Sequence, residues 1–214
     1  MIYSMVITNN TPACSSERNS QSGFTIVEFL ISALILLLVT SAVFTILSDI
    51  QRTAGYQTEV QSVLDNTKIA MQTVERYIRQ AGNDPHNSGL HGITIISANE
   101  VQIRSDLKGS SGTSNPDKGD PDGDIADSGE NVTIRHNERS HSLEIVPDGG
   151  APQIVAANIA GLSFEYYDSS GNPTTTGDDV RKIAVTISGT SLLPNPQTRR
   201  VFGVTLSSEV KVLT

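Results

Sequence analysis

The sequence predicts an α+β fold in which one long N-terminal α-helix, its first half transmembrane and its second half amphipathic, packs on an antiparallel β-sheet. Three observations carry that expectation. Residues 29–47 form an uninterrupted apolar run with no charge, proline or glycine. A helical stripe follows without a break, with Val60, Leu64, Thr67, Met71, Val74, Ile78 and Ala81 recurring at three- and four-residue steps. From Gly89 onward the composition turns to β-branched runs bounded by Gly, Asn, Asp and Pro.

Residues 1–23 are polar and poor in structure signals, and their two charges, Glu17 and Arg18, cancel. The chain's only cysteine, Cys14, lies here, so a chain lacking this segment could build neither a disulfide nor a thiolate metal site. As a helix the apolar run would extend roughly 28 Å, about one hydrocarbon core. Glu28 stands at its N-terminal edge without a basic neighbour. A carboxylate among apolar neighbours costs a few kcal/mol unless it finds a partner, so its presence points to a role. An ordinary single-pass anchor or a secretory signal would use similar residues. However, the run is longer than the usual apolar core of a signal peptide, about 7–15 residues, and no small-x-small cleavage site follows Leu47.

Gly23-Phe24-Thr25-Ile26-Val27-Glu28, running into that apolar segment, resembles the cleavage and assembly signal of type IV prepilins and type II secretion pseudopilins. The resemblance implies a prepilin peptidase that cuts after Gly23 and methylates the new N-terminus, Phe24. It further implies that Glu28, the fifth mature residue, meets the N-terminal amine of a neighbouring subunit. A glutamate unpaired in lipid is a liability; shared between subunits, it becomes a docking device. Residues 1–23 would then be the leader, 24–48 the transmembrane and assembly half of the helix, 49–82 its amphipathic half, and 83–214 a β-rich soluble domain. The weakly charged leader departs from the basic leaders usual in the family. The implied partners are the peptidase, other pilin or pseudopilin subunits, an inner-membrane assembly platform and the lipid bilayer. The soluble domain is expected in the periplasm of a bacterium while the chain is held in the inner membrane, and at the cell surface once it joins a filament.

In the second half of the helix, Gln51, Arg52, Glu59, Gln61, Lys68, Glu75, Arg76 and Arg79 fill the faces away from the stripe. Gly55 is a possible bend, and Gly82-Asn83-Asp84-Pro85 supplies a glycine cap and a breaker. A single helix over 24–81 would be roughly 87 Å long. The expected strands are 92–96, 100–105, 131–137, 142–146, 161–168, 181–188 and 199–213, with a hairpin turn at Asn137-Glu138-Arg139. Alternation in Val132 to Arg135 and Ile183 to Ile187 implies an antiparallel sheet with one buried face, which the helix stripe would cover. A long helix on an antiparallel sheet is also the pilin architecture. The strand spacing around residues 154–171 (IVAANIAGLSFEYYDSSG) resembles that of PilW-type minor pilins.

Residues 109–130 break the pattern, with Asp117, Asp120, Asp122, Asp124, Asp127 and Glu130 in a glycine-rich connection. Alternate carboxylates in a flexible loop can converge on a hard cation, which makes Asp120, Asp122, Asp124 and Asp127 candidate Ca2+ ligands. Ile125 stands where a calcium-binding EF-hand loop needs glycine, and Asn131 where it needs the bidentate glutamate. A solvated acidic loop between strands is the other reading.

Little else carries chemistry. His86, His91, His136 and His141 show no metal-binding spacing, and no nucleophile elbow, phosphate loop or dinucleotide fingerprint occurs. A net charge of −8 argues against nucleic-acid binding. Phe164 and Tyr166 fall on one strand face and Tyr167 on the other, the first two as core. The chain therefore reads as an enzyme's substrate and not as an enzyme. Two classes of function stay open: a structural filament subunit, either a minor pilin of a type IV pilus or a minor pseudopilin of a type II secretion system, and a membrane-anchored, calcium-binding adhesin.

Overall fold

The computed structural model describes residues 23–109 and 119–212; Cys14 and the rest of residues 1–22, and Asp117 of the acidic loop, lie outside them. The chain divides into two compact units, Met1–Ser48 and Asp49–Thr214. Helix α1 (Ile26–Gln80) begins in the first and ends in the second, and it continues through Gly55.

In the first unit, Thr25 acts as the helix N-cap. Its hydroxyl accepts the Glu28 N–H at 3.3 Å and its carbonyl accepts the Phe29 N–H at 3.1 Å. The hydroxyls of Thr40 and Thr45 donate back to the Leu36 and Ser41 carbonyls at 2.7 and 3.0 Å, so both meet their hydrogen-bonding needs within the helix. An apolar surrounding places that demand on any polar group.

In the second unit, α1 buries Val63, Thr67, Ala70, Met71, Val74 and Ile78, and Ala81 follows just beyond its end. The stripe is shifted from the expected one: Val60 and Leu64 are only half-buried, while Val63 and Ala70 are fully covered. Close approach explains the shift. A Cβ added to Gly189 would lie 2.2 Å from Thr67 Oγ1 and 3.0 Å from Val63 Cγ1, so the small face of the helix is the one laid on the sheet. The helix stops before Gly82, whose φ of 77° is the left-handed conformation that glycine takes without penalty.

Strands β1 (Ile93–Ser97), β2 (Glu100–Arg104), β3 (Asn131–Asn137), β4 (Ser142–Pro147) and β5 (Gln153–Ala157) form a five-stranded antiparallel meander in chain order. β6 (Ile159–Tyr167), β7 (Lys182–Thr190) and β8 (Gly203–Lys211) form a separate three-stranded antiparallel sheet. The sequence predicts one sheet and omits β5. Asn158 accounts for the division. With φ at 62° it takes the left-handed conformation tolerated by asparagine, and the chain leaves one sheet at Ala157 and enters the other at Ile159.

Both sheets contribute to one core with the helix. It gathers Ala70, Val74 and Ile78 from α1, Val101, Ile103, Val132, Ile134 and Leu143 from the larger sheet, and Leu162, Phe164, Tyr166, Ile183, Val185 and Ile187 from the smaller. Phe164 and Tyr166 stack with ring centroids 6.3 Å apart, and Tyr167 lies on the other face. Two carboxylates brace this assembly. Glu75 of α1 accepts the Ser208 hydroxyl of β8 at 2.5 Å and pairs with Arg79 at 2.7 Å. The Ser208 hydrogen bond, followed by Arg79, holds its carboxyl below the usual range. Buried Glu144 is held below its ordinary value by Asn137 first and then by Arg135, its directly opposite neighbour on β3.

Candidate functional site

Gly23, Phe24 and Glu28, the residues expected to mark cleavage, methylation and assembly, all lie exposed at the head of α1. A Cβ on Gly23 would meet no atom of the described residues within 4 Å, and Phe24 is 81% exposed. Glu28 sits in the first helical turn. There the first amide N–H groups lack helical partners and the helix dipole favours a negative charge. The Thr25-x-x-Glu28 spacing is also that of a capping box, a signal in the sequence that explains Thr25, which the cleavage motif alone does not.

From Phe29 to Leu47 the helix is apolar on all sides. None of its most apolar part is buried, and the helix is long and apolar enough to cross a membrane. Residues 18–44 match the family described as the prokaryotic N-terminal methylation motif. The chain carries a type IV pilin-like prepilin signal. That methylation motif encloses Gly23, Phe24 and Glu28 and extends through most of the apolar run. It supports a pilin- or pseudopilin-like protein that is processed by a prepilin peptidase and associates with other pilins. With the apolar helix, it fits membrane anchoring. No curated protein matches the chain.

The acidic loop is arranged differently from a converging ligand set. Asp120 and Asp124 are exposed, whereas Asp122 and Asp127 are half-buried. Asp122 Oδ1 accepts the Asp124 N–H at 3.3 Å and Asp124 Oδ1 accepts the Ala126 N–H at 2.8 Å, successive turns in which an aspartate binds the backbone two residues on. Among the described residues, no group of three or more His, Cys, Asp or Glu side chains is gathered as a metal ion would need.

Two carboxylates at the base of the loop hold it instead. Asp106, fully buried, accepts the N–H groups of Asp122 and Gly123 at 3.2 and 2.9 Å. Glu130, also fully buried, accepts Leu107 and Lys108 on one oxygen at 2.8 and 2.9 Å and Asp127 on the other at 3.2 Å. Each carboxylate gathers backbone amides across the loop, the arrangement that lets a buried charge persist without a cation. Asp106 was not singled out in the sequence. The available signal was its place just after β2, mirrored by Glu130 just before β3.

The histidines are dispersed. His86 Nε2 donates to the Pro121 carbonyl at 2.8 Å, His136 Nε2 to the Ile159 carbonyl at 2.9 Å, and His91 Nδ1 lies 2.6 Å from Asp178 Oδ1.

Proposed function

We propose that the chain is a minor pilin, a structural subunit cut after Gly23, methylated on Phe24 and recruited into a type IV pilus, where it takes part in filament initiation and assembly. One observation carries this reading: the methylation motif heads a half-helix that is apolar on every side and bare. Exposed apolar surface costs about 25 cal/mol per Å² in water. Residues 29–47 therefore need a cover, which is the bilayer before assembly and neighbouring half-helices afterwards. Glu28 is the single formal charge in that stretch from Gly23 to Leu47. Cleavage would supply a matching cation, the amine of Phe24, and a neighbouring subunit's amine on Glu28 would fix the register between subunits. A type II secretion pseudopilus would use the same parts in the same way.

Glu28→Ala tests the assembly role. The variant is expected to reach the membrane and to melt at the wild-type temperature, because Glu28 lies outside the folded β-unit, while its recovery in sheared filaments falls to background. Wild-type recovery of the variant in filaments would overturn the role given to Glu28.

A further inference from the structure

The connection between β7 and β8 differs from the rest of the second unit. Residues 191–202 (SLLPNPQTRRVF) contain two arginines and no acidic residue, in a chain whose net charge is −8. Leu192, Leu193 and Val201 are 66%, 56% and 59% exposed, and Arg199 and Arg200 are exposed beside them. The loop nevertheless has a defined internal structure. Asn195 Oδ1 accepts the N–H groups of Gln197 and Thr198 at 2.9 Å each, and the Asn195 N–H donates to the Arg200 carbonyl at 2.8 Å. At its base, the Ser191 N–H donates to the Phe202 carbonyl at 2.9 Å, and the Phe202 N–H returns to Ser191 Oγ at 2.8 Å. Aliphatic side chains held outward by a braced loop, with cationic neighbours, resemble the composition of a lipid-interface contact.

Its anchorage says which surface is at hand. Glu59 of α1 accepts the N–H groups of both Leu192 and Leu193, the latter at 2.8 Å. Glu59 comes only twelve residues after Leu47, where the apolar run ends. A tether of that length, at most about 43 Å even if fully extended, keeps Glu59 within that reach of any bilayer that holds residues 29–47. Contact with lipid is then intramolecular, so three aliphatics and two charges suffice where a free protein would need more. A second copy of the chain has no such tether.

We propose that residues 191–202 seat on the bilayer surface, with Leu192, Leu193 and Val201 at the headgroup–acyl boundary and Arg199 and Arg200 on anionic headgroups. The proposal rests on the reading that residues 29–47 lie in lipid. On that reading, extraction of the subunit into a filament must lift this loop from the membrane, and anionic lipid would retain the subunit until then.

The test uses the full-length chain in a Cys14→Ser background, carrying a single fluorophore at Leu193→Cys, Val39→Cys or Ser170→Cys. Ser170 is an exposed turn residue beyond the end of β6, whose last residue pairs with the first of β7, at the opposite end of the smaller sheet from the loop. Each variant is reconstituted in phosphatidylcholine vesicles containing lipid-borne quenchers, with or without phosphatidylglycerol, and its melting curve is compared with wild type. Quenching is expected at position 39 in both vesicles and not at 170. At 193 it is expected to rise at least about twofold with the anionic lipid and to lose that rise in Arg199→Ser/Arg200→Ser. Quenching at 39 with 193 no different from 170 overturns the proposal. A position 193 shielded from water but not reached by lipid quenchers, with shielding that vanishes as the protein is diluted in the vesicles, assigns the loop to a second subunit and also overturns it. An unquenched position 39 removes the membrane reading and the proposal with it.

Discussion

From Ile26 to Ile50, α1 exposes nearly every aliphatic side chain, whereas from Val63 to Ile78 it buries a residue at every third or fourth position. The first stretch is much the more hydrophobic of the two, yet it is the one its own chain leaves bare. Apolar content alone therefore does not determine burial within a fold; periodicity does. An apolar stripe with polar flanks specifies a partner inside the chain, and an all-round apolar cylinder specifies one outside it. Two carboxylates of the second half, Glu59 and Glu75, also reach out of the helix, to the β7–β8 loop and to β8.

Truncations on the two stretches should break the symmetry between them most clearly. Ile78→Ala removes a fully buried side chain from the shared core and is expected to lower the unfolding free energy of the β-unit by about 2–5 kcal/mol. Leu36→Ala, on a residue 67% exposed, should leave that free energy unchanged. Urea unfolding of the detergent-solubilised chain, followed by tyrosine fluorescence, measures both. Equal losses would show that the bare stretch takes part in the folded core.

A second change acts on the base of the acidic loop. Asp106→Ala strands the N–H groups of Asp122 and Gly123 and should cost about 1–3 kcal/mol in the same assay. Calcium titration of the wild type sharpens this result. A rise in melting temperature that Asp120→Asn and Asp122→Asn abolish would mean that the loop rearranges to gather its carboxylates around a cation; an unchanged melting temperature leaves Asp106 and Glu130 as its anchors.

Close approach of helix and sheet is tested by Gly189→Ala. The added methyl would fall 2.2 Å from Thr67 Oγ1, so a loss of about 1–3 kcal/mol is expected, partly recovered in Gly189→Ala/Thr67→Ala. No recovery would locate the strain elsewhere.

The smallest effect is that of pH. Glu75 and Glu144 have folded-state pKa values depressed below the ordinary 4.5, so their stabilising contribution is complete above that value and is lost as pH falls through the depressed ones. Ser208→Ala removes the largest cause of the Glu75 shift and should flatten the acid limb of the stability profile by less than about 1 kcal/mol, with no change in slope above pH 5.

Much of the fold was legible because its signals are local. The Gly23–Glu28 motif, the apolar run, the Gly82 stop and most strands depend on neighbours within a few residues, and β3 falls at its expected bounds. What was missed depends on distant or unpatterned contacts. β5 is an edge strand whose first two residues, Gln153 and Ile154, are both exposed, so it has no apolar–polar alternation to read. The division into two sheets turns on the backbone of a single asparagine, Asn158. The Glu59 tether and the Glu75–Ser208 bond each span more than a hundred residues, beyond the reach of any periodic signal. Asp106 carries no mark in the sequence because burial, not identity, sets it apart.

The central claim, that the bare half-helix is the assembly half of a processed prepilin, is tested most directly by the intact mass of the chain co-expressed with a prepilin peptidase, with a Gly23 substitution as control. The expected mass lacks residues 1–23 and carries one added methyl group on Phe24, while the control stays full-length. An uncut wild-type chain, or a cut beyond Leu47, would contradict the claim and leave an ordinary anchored or secreted β-domain.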